Sequence, residues 1–413
     1  MRQLSVLLLS FLWLFSWPAR PSFAEDGLTE NLNAFAIDMY RSLVSGENSL
    51  FFSPCSIATG LALTCGGARG DTAEEMAKVL HVTPGVSLHA SMKALQDHFN
   101  ALADDAGALN VANRLWLDRR QTLLPEYAAL AAEDYDGGIE RLDFWENADG
   151  SRDTINRWVS EKTNGKINDL LSKEDVTPVT RLVLTNAIYF LSAWREPFQE
   201  RLTKKEPFRM GRNKRKDVSM MRKTDRFSYG ETPELQLVKI PYKIRGLVLL
   251  VLLPRLDENS DPLKKLENLE KKLTRAALKE WTAAMKGREV ALRLPRFRDE
   301  GRYGLKDVLE RLGMKLAFTR DADFSGMVED PRKNGGDLCV SSVVHRAFIA
   351  LDEKGTEAAA ATAVVMRMKA TATVDRVKPV EFVADHPFIY CVLDDRTGTI
   401  LFMGRMTDPR DGK

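Results

Sequence analysis

Glu353-Lys-Gly-Thr-Glu-Ala-Ala-Ala-Ala-Thr-Ala-Val-Val-Met-Arg-Met-Lys-Ala370 is the most unusual stretch of this 413-residue chain. Its alanines favour a helix, and Thr356-Glu357 offers a start for one. A surface helix, however, alternates apolar and polar faces every 3.6 residues. Counted by two, the stretch separates cleanly. Thr356, Ala358, Ala360, Thr362, Val364, Met366 and Met368 make an uncharged face of small to medium side chains. Glu357, Arg367 and Lys369, every charge after Lys354, fall on the other face. That is the pattern of a strand with one buried face. From Thr356 to Thr362 the side chains other than Glu357 are small enough to pass between existing strands. The segment is written for two environments: water as an exposed loop, and a sheet interior as an inserted strand.

The sequence on either side supplies a sheet to receive it. Residues 338–352 before the stretch and 388–405 after it read as strands. Arg181 to Leu191 is an apolar, β-rich run of the kind a strand buried on both faces shows. Further strands are expected at 111–117, 217–221, 226–242, 246–253 and 289–298. Helical periodicity marks 27–46, and Ser53-Pro54 opens a second helix, with Ser as cap and Pro in the first turn. That helix stops at Gly66-Gly67, and Thr72-Ala-Glu-Glu offers a capping box for the next. Helices are expected again at 123–134, 150–172, 262–286 and 304–313. Helices crowd the first half and strands the second, without βαβ alternation, which gives an α+β class. With no repeat or linker in sight, residues 25–413 read as one domain.

Composition is that of an ordinary globular chain: 44% hydrophobic, 29% charged, 26 Gly and 17 Pro. Residues 1–24 read as a secretory signal, with Arg2, an apolar run from Leu4 to Trp17 and Ser22-Phe23-Ala24 before the cut. The apolar run is short for a membrane span. The expected location is therefore secreted, outside the cell or in a bacterial periplasm. Arg2 and Arg20 leave with the signal, so 58 of the 60 Lys and Arg face 58 Asp and Glu. A neutral mature chain argues against a globally basic nucleic-acid binder. Cys55, Cys65, Cys339 and Cys391 stand in apolar segments without metal spacing and read as buried free thiols, with a Cys339–Cys391 bridge as the alternative. No GxSxG, Walker A, HExxH or GxGxxG motif occurs, and the five histidines show no metal spacing. Neither an enzyme nor a cofactor is expected.

Taken together and in order, several motifs resemble the serpin family over nearly the whole mature chain. Glu353 to Thr362 looks like the hinge of an inhibitory serpin's reactive-centre loop, and Leu338 to Asp352 like the strand leading into it. Asn48 to Met76, Ile155-Asn-Arg-Trp-Val to Gly165-Lys-Ile, Leu184 to Phe190, Trp194-Arg-Glu-Pro-Phe, Leu294-Pro-Arg-Phe, Ala384 to Tyr390 and Gly398 to Arg405 are similar to further family segments.

The resemblance implies three β-sheets, eight or nine helices and a loop over about 353–380. It implies a suicide inhibitor of a protease, acting as a monomer that ends in a covalent acyl complex. The cut hinge, Glu353, Lys354, Gly355, Thr356, Glu357, Ala358, Ala359, Ala360, Ala361 and Thr362, would enter the main sheet. About 15 inserted residues at roughly 3.3 Å each would carry the attached protease about 50 Å. Counting seventeen from Glu353 places the reactive bond at Lys369–Ala370, which suits a trypsin-like pocket. Arg367, Arg376 and, for a chymotrypsin-like target, Met368 are the alternatives. Ser53, Ser56, Asn186 and His345 match the family's shutter beneath the main sheet, and Trp194 its breach, where the hinge goes in. Eleven Lys and Arg within 201–226 offer a polyanion site, although interspersed acids favour a solvated hairpin. Other readings stay open: a non-inhibitory carrier or chaperone-like serpin, and a papain-like cysteine protease as target.

Overall fold

The computed structural model describes residues 27–83, 86–102, 107–332, 337–356 and 378–410. The expected signal and most of the loop, Glu357 to Val377, lie outside them. The first helix, α1 (Leu28–Leu43), is followed by β1 (Leu50–Phe52) and α2 (Pro54–Gly67). Ser53 caps α2 by accepting from the Ser56 N–H, and Pro54 takes the first turn. Almost every side chain of α2 is buried, as befits a helix under a sheet. α3 (Gly70–Val79) and α4 (Val86–Asn100) complete the helical start. Thr72 does not cap α3. It lies inside the helix, which begins at Gly70, and its hydroxyl accepts from Asp323 N.

A six-stranded sheet forms the front of the molecule, ordered β10-β11-β12-β4-β2-β3. Its members are β2 (Gly107–Asp118), β3 (Ile139–Leu142), β4 (Leu182–Ala193), β10 (Phe297–Gly304), β11 (Val340–Leu351) and β12 (Gly355–Thr356). As its apolar run requires, β4 is buried along nearly its full length. β4 and β11 are parallel neighbours, paired from Leu182 opposite Val340 to Tyr189 opposite Phe348 with one register shift between Val340 and Ser342. The contact between them is called the seam below.

The remaining strands build a nine-stranded sheet: β1, β5 (Lys204–Arg209), β6 (Arg215–Glu231), β7 (Leu235–Pro241), β8 (Leu247–Pro254), β9 (Lys286–Pro295), β13 (Val380–Val383), β14 (Phe388–Asp394) and β15 (Ile400–Met406). The buried parity of β6 switches between Met220 and Met221, both of which are buried. The inward face therefore changes sides part-way along, and this sheet presents two surfaces carried on the same long strands. By pairing, the described strands form two sheets, of nine and six strands.

α5 (Pro125–Asp134), α6 (Ala148–Lys162), α7 (Pro262–Lys272), α8 (Arg275–Ala283) and α9 (Lys306–Leu312) bring the described helices to nine. The helix expected over 150–172 ends at Lys162. Asn164 takes a left-handed backbone (φ 52°) and Gly165 follows at φ 74°, so the chain turns back there. Likewise 262–286 is two helices, parted where Thr274 caps α8. The main core fills the space between the sheets, and a second cluster lies under α6 around Trp116, Phe144 and Ile155.

Candidate functional site: the seam and the hinge

At one end of the seam the chain leaves β11, turns and comes back between the two strands. Asp352 makes the turn. Its carboxylate accepts from Lys354 N at 2.7 Å and Gly355 N at 3.2 Å, while its own N–H donates to Gly355 O. β12 then lies antiparallel to both neighbours, with Gly355 opposite Ala193, and Thr356 opposite Ser192 and Leu351. Only glycine fits the first of these positions. A Cβ on Gly355 would stand 2.2 Å from the Ser192 carbonyl oxygen, and its φ of 157° disfavours a side chain as well. Thr356 is fully buried and shares a 2.7 Å hydrogen bond with the Tyr242 hydroxyl.

Trp194 anchors this turn from below. Its indole N–H donates to Asp352 O at 2.8 Å, its backbone N–H donates to Lys354 O, and its ring stacks on Tyr242 with centroids 4.6 Å apart. Glu353, only 3% exposed, points away from the seam onto Arg296. Thr203 donates a further hydrogen bond to the same carboxylate. Burial acts to raise the Glu353 pKa, but the Arg296 and Thr203 hydrogen bonds outweigh it and hold the carboxyl below its usual value.

Half-way along the seam a polar row crosses the front sheet. Asn113 on β2 stands opposite Asn186 on β4, Asn186 opposite His345 on β11, and His345 opposite Tyr303 on β10. The row faces the start of α2. Asn186 Nδ2 donates to Ser56 O and to Asn113 Oδ1, both at 2.6 Å, and Ser56 Oγ donates to Asn113 Oδ1 at 2.8 Å. His345 Nε2 accepts from Ser53 N at 3.0 Å, which leaves Nδ1–H to donate to Asn186 Oδ1. Burial pushes the His345 pKa down to about 3, so the ring is neutral in this arrangement. Ser53 Oγ donates to Leu401 O, tying the cluster to β15. A new strand entering the seam would pass between Asn186 and His345 and break the row at that point.

The structure thus brings Ser53, Ser56, Asn186 and His345 into one hydrogen-bonded cluster and sets Trp194 against Glu353, Lys354, Gly355 and Thr356. Glu357, Ala358, Ala359, Ala360, Ala361 and Thr362, with Lys369, Ala370 and the alternatives Arg367, Met368 and Arg376, lie outside the described residues. Arg296, Thr203, Tyr242, Asn113 and Tyr303 were not singled out from the sequence. Arg296 carried a signal, as a lone cation in the quoted Leu294-Pro-Arg-Phe. The others gain their meaning only from register.

The four cysteines are free, Cys339 being half-buried rather than buried, and no Cys339–Cys391 bridge forms. Within 201–226, Arg209 pairs with Asp385, Lys216 with Asp408, Arg222 with Glu206 and Lys223 with Asp225. Lys204, Arg212, Lys214 and Arg215 are exposed. Among the described residues no group of three acidic, His or Cys side chains could hold a metal, and no helix is long and apolar enough to cross a membrane.

Residues 30–409 match the family described as Serpin (serine protease inhibitor). The chain belongs to the serpin family. Among its relatives, a serpin-like protein of Thermococcus kodakarensis is 40% identical over 391 residues, 94% of this chain and 87% of that one. The leukocyte elastase inhibitor of Bos taurus is 38% identical, covering 91% of this chain and 97% of the relative. Uncleaved ovalbumin superposes with a TM-score of 0.81 at 29% identity, over 92% of this serpin and all of ovalbumin. A highly specific serpin of the insect Tenebrio molitor gives 0.80 at 31%, covering 94% and 99%. Both solved structures share the serpin fold described above.

Proposed function

We propose that this serpin is a secreted, monomeric suicide inhibitor of trypsin-like serine proteases. The target's nucleophile attacks the Lys369–Ala370 bond and forms an acyl-enzyme, with its own oxyanion hole supporting the intermediate. The released hinge then continues along the seam as a full antiparallel strand, and the tethered protease is carried away before water can deacylate it. The observation that supports this reading is β12: two hinge residues already pair with β4 and β11, in the direction an inserted strand would run. Energy for the movement comes from the ladder hydrogen bonds made along β4 and β11 and from burial of the small, uncharged face. The uncut form is held by kinetics rather than by equilibrium.

Incubation with trypsin, followed by denaturing gels and intact-mass spectrometry, tests this. The expected result is an SDS-resistant complex near the summed mass and a released peptide starting at Ala370. A peptide starting elsewhere moves the bond and keeps the mechanism. Relatives named leukocyte elastase inhibitor place elastase in the protease panel, beside chymotrypsin- and papain-like enzymes. Cleavage by all of them without a covalent complex overturns inhibition in favour of a non-inhibitory role. For secretion, the exported protein should begin at Glu25.

A further inference from the structure

The expected loop rejoins the described chain just before β13, a four-residue strand at the end of the nine-stranded sheet. β13 runs parallel to β9, from Val380 opposite Val290 to Val383 opposite Arg293. The three residues after it fasten the strand to its surroundings. Ala384 N donates to Arg293 O, and Arg209 N, at the end of β5, donates to Asp385 O at 2.7 Å. Arg209 Nη2 also donates to both oxygens of the Asp385 carboxylate, at 3.0 and 3.1 Å. His386, 5% exposed, completes the fastening. Its Nε2 stands 2.7 Å from Pro254 O at the end of β8, and its Nδ1 2.7 Å from Asp385 Oδ1.

A carbonyl and a carboxylate oxygen can only accept, so each ring nitrogen has to bring a hydrogen. Asp385 is ionised: burial acts to raise its pKa, but hydrogen bonds from His386 and Arg209 outweigh it and hold the carboxyl below its usual value. The two contacts together therefore need the imidazolium. A neutral ring keeps one of them and turns a bare lone pair toward the other oxygen. Neighbouring charges are engaged elsewhere or face solvent. Arg293 on β9 is turned to Glu206, Arg255 beyond Pro254 pairs with Glu231, and Lys378 and Glu381 are exposed.

We propose that His386 is a pH-dependent positioning residue, whose second proton clips the far foot of the loop in place and whose loss loosens β13. The proposal rests on the loop reading above. With this foot fastened, the loop meets a protease already ordered; with it loose, part of that ordering has to be supplied during attack. Imidazole ordinarily changes charge between about pH 5 and 8, so the clip is closed in mild acid and open in mild alkali.

The test is hydrogen exchange of the β13 amides in the uncut full-length protein at pH 6 and pH 8.5, read by mass spectrometry. Ratios between proteins at one pH cancel the intrinsic pH dependence of exchange. His386→Gln keeps a donor but has no proton to lose. It should exchange about fivefold faster than the parent at pH 6, the equivalent of one net hydrogen bond, and match it at pH 8.5. His386→Arg, charged at both pH values, should match the parent at pH 6 and be the better protected at pH 8.5. Where the larger arginine disturbs the fold, the glutamine ratio alone decides. The rate of trypsin capture, taken as parent over His386→Gln, should fall toward one across the same interval. A glutamine exchange ratio that is the same at both pH values overturns the clip. A pH-dependent exchange ratio with a flat capture ratio overturns the positioning role. Exchange that follows the clip without any trypsin complex overturns the inhibitor reading and leaves the clip standing.

Discussion

A single nitrogen of Arg296, Nη2, touches both carboxylate oxygens of Glu353, at 2.6 and 2.7 Å. The pair joins the connection between β9 and β10 to the residue from which the hinge starts. It fixes where the chain turns and so which residue is first to enter the seam. Because Glu353 is almost wholly buried, removing its partner leaves a charge with little solvent around it.

Arg296→Ala should therefore cost about 2–3 kcal/mol in urea unfolding at pH 7, below the full value for a buried pair because Arg296 is partly exposed. Glu353 is held below its usual pKa of 4.5, so its contribution is present above that value and lost as pH falls through the folded one. The gap between the parent and Glu353→Gln should close as pH drops below about 4.5. A constant gap down to pH 3 would show that the carboxylate charge is immaterial.

Gly355→Val places a side chain where the Ser192 carbonyl already stands. We expect β12 to be expelled and the variant to be cut as a substrate. The fraction of trypsin captured, read by densitometry of the SDS-resistant band, should fall at least fivefold, while the rate of loop cleavage stays within a factor of two. An unchanged captured fraction would mean that insertion does not begin at Gly355.

Asp299 on β10 is pushed up to about 6 by burial, partly offset by the hydrogen bond from Glu300 N. A raised carboxyl pKa means that the folded state is burdened by the charged form above pH 6 and relieved as pH falls toward 4. Asp299→Asn keeps the oxygen that accepts from Glu300 N. It should stabilise the protein by about 2 kcal/mol at pH 8, with the advantage gone near pH 4. A variant that is less stable at pH 8 would refute the assignment.

His345 carries the opposite sign. Its folded pKa of about 3 lies below the usual 6.5, so the unfolded chain binds the proton first and stability falls as pH drops below 6.5. Between pH 7.5 and 5 the parent should lose about 2 kcal/mol through this residue. His345→Gln should be the less stable protein at pH 7.5, for want of the Ser53 and Asn186 bonds, and should close on the parent by that amount at pH 5. Parallel stability curves for the two proteins would contradict a neutral, buried ring.

Reading by two marked the stretch after Glu353 as a strand, of which Gly355 and Thr356 are seen paired as β12, and the apolar run at β4 announced a strand buried on both faces. Ser53 showed itself through Pro54, the local grammar of a helix start. The row through Asn113, Asn186, His345 and Tyr303 has no linear signature, since its members lie on four strands and meet only through pairing register. The end of α6 at Lys162 was missed because the apolar spacing of Ile167, Leu170 and Leu171 continues the helical period after the backbone has turned.

For the insertion proposed above, the two residues of β12 would change the kinetic character of the whole movement. Starting a new ladder is ordinarily the slow, improbable event, and lengthening one is fast. Here the first rung is already in place at Thr356, so a loop severed as proposed would inherit a closed nucleus and need only to zip. Capture should then show no lag, and the tie between Asn186 and His345 should be among the first bonds it breaks down the track.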